Sequence, residues 1–141
     1  MSFRLYNGKP LSKNVVAETD TINDFKLVNA VTVDDVSITF TKIGNTVTVD
    51  INDTYRSNAT FVSSSIRVFT AGGSDIVIPE KYRPSGFVYI ASTIYGDDKT
   101  LTGTVSVSYL GKMEFYNSTS TAWVATDGFN GIMKQSFTYK V

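Results

Sequence analysis

From Val31 onward the chain alternates apolar and polar residues with a period of two. That is the pattern of strands with one buried face. Val36-Ser37-Ile38-Thr39-Phe40-Thr41 and Thr46-Val47-Thr48-Val49-Asp50-Ile51-Asn52 are matched runs on either side of Ile43-Gly44-Asn45, and they predict a hairpin. A second hairpin is predicted by Leu101–Tyr109 and Met113–Asn117 around Leu110-Gly111-Lys112. Phe61–Thr70 alternates less cleanly, with Ile66 and Val68 opposite Arg67 and Phe69. Phe87–Tyr95 is apolar on both faces in its first half, the signature of a central strand covered on both sides. Ile132–Val141 reads as one closing strand, with Met133, Gln135, Phe137, Tyr139 and Val141 on one side.

The connections are equally legible. Ala71-Gly72-Gly73-Ser74-Asp75 and Gly96-Asp97-Asp98-Lys99 are turns, and Tyr55–Thr60 is a polar loop. Ile76-Val77-Ile78 is a short strand that Pro79 must end, because proline donates nothing to a ladder. Pro79 and Pro84 bracket Glu80-Lys81-Tyr82-Arg83 and predict a stiff, defined loop, with Arg83 making a structural contact. The count is about eight or nine strands at a spacing of roughly ten residues, which argues an antiparallel β-sandwich or small β-barrel. No βαβ unit is present.

Residues 1–30 differ in style from 31–141. Ile22 and Phe25 are three apart, as on one face of a short helix capped by Asp20 or Thr21. Two readings of 1–30 stand side by side: an extended arm lying on the main domain, and an arm for attachment or trimerisation. Residues 31–141 form the head domain on either reading.

Composition narrows the chemistry. The 141 residues favour one domain with a single core. Thirteen Lys and Arg balance thirteen Asp and Glu, so nothing electrostatic points to nucleic acid or an anionic membrane. No apolar run is long enough to predict membrane insertion, and the start of the chain lacks the apolar region of a signal peptide. Synthesis in the cytoplasm is expected. The chain has no cysteine and no histidine. That removes disulfides, thiolate chemistry, the commonest general base and the commonest transition-metal ligand, and no cofactor is expected. Aromatic residues make up 13% of the chain, more than a core of this size requires, so some rings are expected at a surface, where flat amphipathic side chains suit binding.

The block from Ile78 onward resembles the head domain of receptor-binding and related baseplate proteins of phages that infect Gram-positive bacteria, lactococci in particular. The carriers are the run IPEKYRP (Ile78–Pro84), the paired strands VSVSYLGKMEFY (Val105–Tyr116) with a glycine between them and two adjacent aromatics, and the loop Ala125-Thr126-Asp127-Gly128. The resemblance implies a homotrimer on the virion, at the tail tip or baseplate. Its small antiparallel β-barrel would bind host cell-wall polysaccharide or glycerol-phosphate without covalent chemistry, so the chain is expected not to be an enzyme. Other phage baseplate or tail proteins are the remaining implied partners. The alternative role is a structural baseplate or adaptor subunit that holds those neighbours. The family's pocket histidine falls near Thr104, its aspartate near Ser106, its tryptophan at Tyr116 and its arginine at Asp127. Tyr116 keeps an aromatic ring, but the other three of those four positions depart from the pattern, so the same pocket and ligand are not expected.

A saccharide site needs rings for the C–H face of the sugar and planar polar groups for its hydroxyls, held on a rigid frame. Tyr116, Trp123, Tyr95 and Phe129 are the candidate platforms. Asp97, Asp98, Asp127, Asn117 and Asn130 are the candidate polar partners. Strand alternation puts Phe115 with Met113 on one face and Tyr116 with Glu114 on the other, outer or interface, face. Trp123 has a second reading as a core or subunit-interface residue, and Asp97-Asp98 as a solvated turn.

Overall fold

The structure, a computed structural model, describes residues 5–6, 9–10, 16–27, 35–57, 65–70, 78–96, 99–117 and 130–141. The described residues are almost all β, as the period-two pattern predicts, with no α-helix among them. The strands are β1 (Leu5–Tyr6), β2 (Lys9–Pro10), β3 (Glu18–Leu27), β4 (Val36–Ile43), β5 (Thr46–Ile51), β6 (Tyr55–Ser57), β7 (Ser65–Thr70), β8 (Val88–Gly96), β9 (Lys99–Val107), β10 (Met113–Asn117), β11 (Asn130–Ile132) and β12 (Gln135–Lys140). β1 and β2 pair only with each other. The other ten follow the order β12-β5-β4-β3-β7-β10-β9-β8-β11-β6. All their pairings are antiparallel, and eight of them make two four-stranded layers, one curled into a half-barrel, with β11 and β6 continuing the order beyond β8.

Two corners turn this ladder into a sandwich. The first is β3. Its Glu18–Ile22 half pairs with β4, Phe25 pairs with both β4 and β7, and Lys26–Leu27 pair with β7 in the other layer; the β4 register shifts between Ile22 and Phe25. A bulge adds one residue and bends the strand, so Ile22 and Phe25 both reach the core side. The three-residue spacing that predicts a helix is therefore the spacing of two core residues astride a bulge. Residues 18–27, read from sequence with the N-terminal arm, form a strand inside the sheet.

The second corner is a ribbon. β5 and β6 on one side pair with β12 and β11 on the other, and the register changes from Gln135↔Ile51 to Ile132↔Tyr55. Three residues, 52–54, face only two, 133–134, and this mismatch folds the ribbon from one layer to the other. The single closing strand expected over Ile132–Val141 is thus two strands meeting at a bend. The loop expected from Tyr55 is strand as far as Ser57, because Tyr55 is buried and its hydroxyl accepts from the Ser37 amide at 2.7 Å. Gln135 seals the bend. Its Oε1 accepts from the Thr93 amide at 3.0 Å, and its Nε2 donates to the carbonyls of Thr93 at 2.8 Å and Met133 at 2.9 Å. The side-chain amide replaces a peptide group where the ladder cannot continue.

The core follows from alternation. Val36, Ile38 and Phe40 of β4 and Val47, Val49 and Ile51 of β5 face Val105 and Val107 of β9, Met113 and Phe115 of β10, and Ile94 of β8. Each such side chain contributes about 1.5–3 kcal/mol on burial. Both predicted hairpins form, and their glycines at positive φ, Gly44 at 59° and Gly111 at 83°, take the left-handed conformation the turns need.

The proline-bracketed segment closes one end. Glu80–Tyr82 is a single 3-10 turn, with the Tyr82 amide donating to the Pro79 carbonyl at 2.9 Å. Arg83 Nε donates to the Ile78 carbonyl at 2.7 Å, the structural contact expected of it. Tyr82 is fully buried and stacks on Phe40 at 5.4 Å. Its hydroxyl donates to Asp20 at 2.6 Å, and Lys81 pairs with Asp20 at 2.8 Å and Glu18 at 3.5 Å. The Lys81 ammonium first, and then the Tyr82 hydroxyl, hold the Asp20 carboxyl below its ordinary value of 3.8. A lowered folded-state value means that this stabilisation is complete above 3.8 and is lost as pH falls through the depressed value. Stability should therefore drop below pH 3.8, and Asp20→Asn should flatten that part of the profile. Urea denaturation of both proteins across this range checks it.

Candidate functional site

The outward face of the β7-β10-β9-β8 layer carries the arrangement that best suits a ligand. It begins at the loop end, where the β9–β10 turn is tied down on itself. The Gly111 amide donates to the Ser108 carbonyl at 2.9 Å, the Ser108 amide to the Lys112 carbonyl at 3.0 Å, and the Ile78 amide to the Gly111 carbonyl at 3.1 Å. This turn holds Tyr109 and Leu110 out in solvent. Beside it, Gly86 leads the chain into β8 through Phe87 and Tyr89. Phe87, Tyr89 and Tyr109 are 59%, 68% and 50% exposed. They nonetheless form one cluster. Phe87 lies nearly parallel to Tyr89 at 6.4 Å and edge-on to Tyr109 at 5.7 Å.

Two tyrosine rings packed on Phe87 and left in water are costly, and such patches mark interaction surfaces. They also correct the expectation for Phe87–Tyr95. β8 has a strand on either side in the pairing order, but the first half of its outer face is exposed. Val88 and Ile90 pack against the core, whereas Phe87, Tyr89 and Ala91 face outward.

Strand register extends the cluster into a shallow seat. Tyr89 lies opposite Ser106, Ser106 opposite Glu114, and Glu114 opposite Arg67. The next outward row runs Ala91, Thr104, Tyr116. With neighbouring strands about 4.8 Å apart, Tyr89 stands two strands from Glu114, with the small residues Ser106, Ala91 and Thr104 between them. The floor is therefore low and bears hydroxyls. Tyr89 forms one wall, and Glu114 with Tyr116 the other. The Tyr116 hydroxyl donates to Glu114 at 2.8 Å, which orients both side chains.

Of the candidates read from sequence, Tyr116 lies in this seat on the outer face with Glu114, while Phe115 and Met113 are buried. Thr104 and Ser106, the positions matched to the family's histidine and aspartate, sit beside it. Tyr95 is placed by register opposite Thr100 of β9 and Gly131 of β11, and Asn117 opposite Gly103. Asn130 opens β11. Trp123, Asp97, Asp98, Asp127 and Phe129 lie outside the described residues.

Sequence reasoning missed Phe87, Tyr89 and Tyr109. The available signal was the aromatic pair at alternate positions at the head of β8, together with a tyrosine just before a glycine turn. Among the described residues no group of three or more acidic, histidine or cysteine side chains is placed to hold a metal ion. What the seat offers is stacking surface, one carboxylate and hydroxyl groups. Such groups suit a polar ligand with an apolar face. No protein-family model matches the chain, and a search of curated proteins finds no match to it.

Proposed function

We propose that this protein is a non-enzymatic saccharide-binding module, the receptor-binding head of a phage tail or baseplate that attaches the virion to host cell-wall polysaccharide. The observation that carries the binding reading is the exposed Phe87-Tyr89-Tyr109 cluster beside the Tyr116–Glu114 pair. Rings set on strands and on a hydrogen-bonded turn lose little entropy when a sugar stacks on them. Glu114 accepts sugar hydroxyls, and Ser106 and Thr104 add further polar contacts. The phage setting and the homotrimer rest on the resemblance of Ile78–Tyr116 to receptor-binding heads.

The test is retention of the purified chain on Gram-positive cell walls and on an array of their polysaccharides. Tyr89→Ala and Tyr116→Ala should each weaken binding by about tenfold, the equivalent of 1.4 kcal/mol. Tyr116→Phe should lose less, because it keeps the ring and removes the bond to Glu114. Melting temperatures close to that of the parent chain would show that the variants still fold. If no wall or glycan retains the chain, or if the alanine variants bind as the parent does, the reading fails. Rescue of virion assembly by variants that bind no glycan would instead favour the structural adaptor role.

A further inference from the structure

The opposite layer has a different outer surface. Its cross-strand rows are hydroxyls: Thr138, Thr48, Thr41 and Thr19 in one, and Ser136, Asp50, Thr39 and Thr21 in the next. At the ribbon corner this surface sinks into a groove of about 530 Å³. That is within the size of ligand clefts, about 300–1,000 Å³. Thr39, Asp50, Asn52, Lys134, Gln135 and Ser136 supply its polar lining. No aromatic ring takes part, so anything bound here is held by hydrogen bonds and not by stacking.

A tally of those bonds shows what remains to offer. The Gln135 amide is committed to the Thr93 and Met133 backbone. Asn52 Nδ2 donates to Ser37 Oγ at 2.8 Å and Thr39 Oγ1 at 3.0 Å, which fixes the amide and leaves its Oδ1 as an acceptor. One Asp50 carboxylate oxygen accepts from the Ser136 hydroxyl, and the other has no partner among the described residues. The Lys134 backbone amide donates to Thr54 Oγ1 at 3.0 Å, while its ammonium has no ion-pair partner among the described residues. Asp50 of β5 and Asn52, just past its end, are two apart and both line the groove. Two oriented acceptors and one cation thus converge on a concavity built by the bulge.

From this geometry we infer that the groove is a second binding site, for a vicinal diol of a sugar or polyol. Two adjacent hydroxyls donate to Asp50 and Asn52, and Lys134 donates to a neighbouring ligand oxygen. The site lies on the layer opposite the aromatic seat and stands independently of it.

An amide NMR titration of the full chain tests this, with methyl α-mannopyranoside and glycerol as diol probes and isopropanol as the single-hydroxyl control. Saturable shifts at Asp50, Asn52 and Lys134 are expected with both diols and not with isopropanol. Asp50→Asn keeps an oxygen for Ser136 but turns the second acceptor into a donor, and should weaken the diol response by about tenfold. Lys134→Met, which leaves both acceptors in place, should weaken it by a smaller factor. Shifts confined to the aromatic seat, shifts equal with isopropanol, or an Asp50→Asn titration identical to the parent's would each overturn the assignment.

Discussion

Replacing Tyr82 with alanine should destabilise the protein by about 3–5 kcal/mol, the range for removing a large buried aromatic side chain. The ring is fully buried and lies against Phe40 with only 18° between their planes. Phe40 in turn meets Phe25 edge-on at 6.3 Å, so the cavity would open beneath the corner strand. The Tyr82 carbonyl also accepts from the Tyr139 hydroxyl at 2.7 Å, and that hydroxyl is buried. Movement of the 3-10 turn would therefore strand a buried donor as well. Tyr82→Phe separates the effects. It keeps the packing and removes the hydroxyl that bonds to Asp20, so it should cost much less than the alanine change. Urea denaturation of both variants gives the comparison, and equal stability of the two would refute the packing argument.

The second large effect is expected at Gly103. This residue sits in β9 between Ser92 of β8 and Asn117 of β10. A Cβ added there would stand 2.4 Å from the Tyr116 carbonyl oxygen and 2.9 Å from Ile94 Cγ2. The first obstacle is backbone of the neighbouring strand and cannot swing away. Gly103→Ala should therefore cost about 2–3 kcal/mol, at the upper end of ordinary overpacking, and Gly103→Val more. Because the clash pushes on the strand that carries Tyr116, the proposed saccharide seat should be distorted in the alanine variant as well. A denaturation midpoint equal to that of the parent would show that β9 and β10 can part without loss.

The contrast between these two sites shows what the sequence makes legible. The β4–β5 and β9–β10 hairpins are readable because alternation and a turn glycine coincide within about ten residues. The orientation of Tyr116 against Phe115 follows from the same local rule. The corners do not follow from it. A bulge breaks period two, so Ile22 and Phe25 imitate a helix, and the bend at Met133–Lys134 hides in an otherwise regular strand. Nor can a local pattern say which face of β8 is covered. The first half of the Phe87–Tyr95 run reads as covered on both faces, whereas Phe87 and Tyr89 stand in solvent with no layer over them among the described residues. The groove at the ribbon corner is least legible of all. Its lining comes from segments more than eighty residues apart, and its shape exists only once the two layers fold over each other.

That ribbon also governs how the molecule can be made. Ser136 bonds to Asp50 across 86 residues of chain, and Lys140 to Thr46 across 94, so β5 stays unsatisfied on one edge until β12 has been synthesised. β3 likewise needs both β4 and β7 before its two halves have partners. A nascent chain on the ribosome therefore holds no self-sufficient half. Folding should be a late, all-or-none event on the slow millisecond-to-second scale of all-β topologies. Until it occurs, the open edge of β5 is the place where neighbouring nascent chains would stick together.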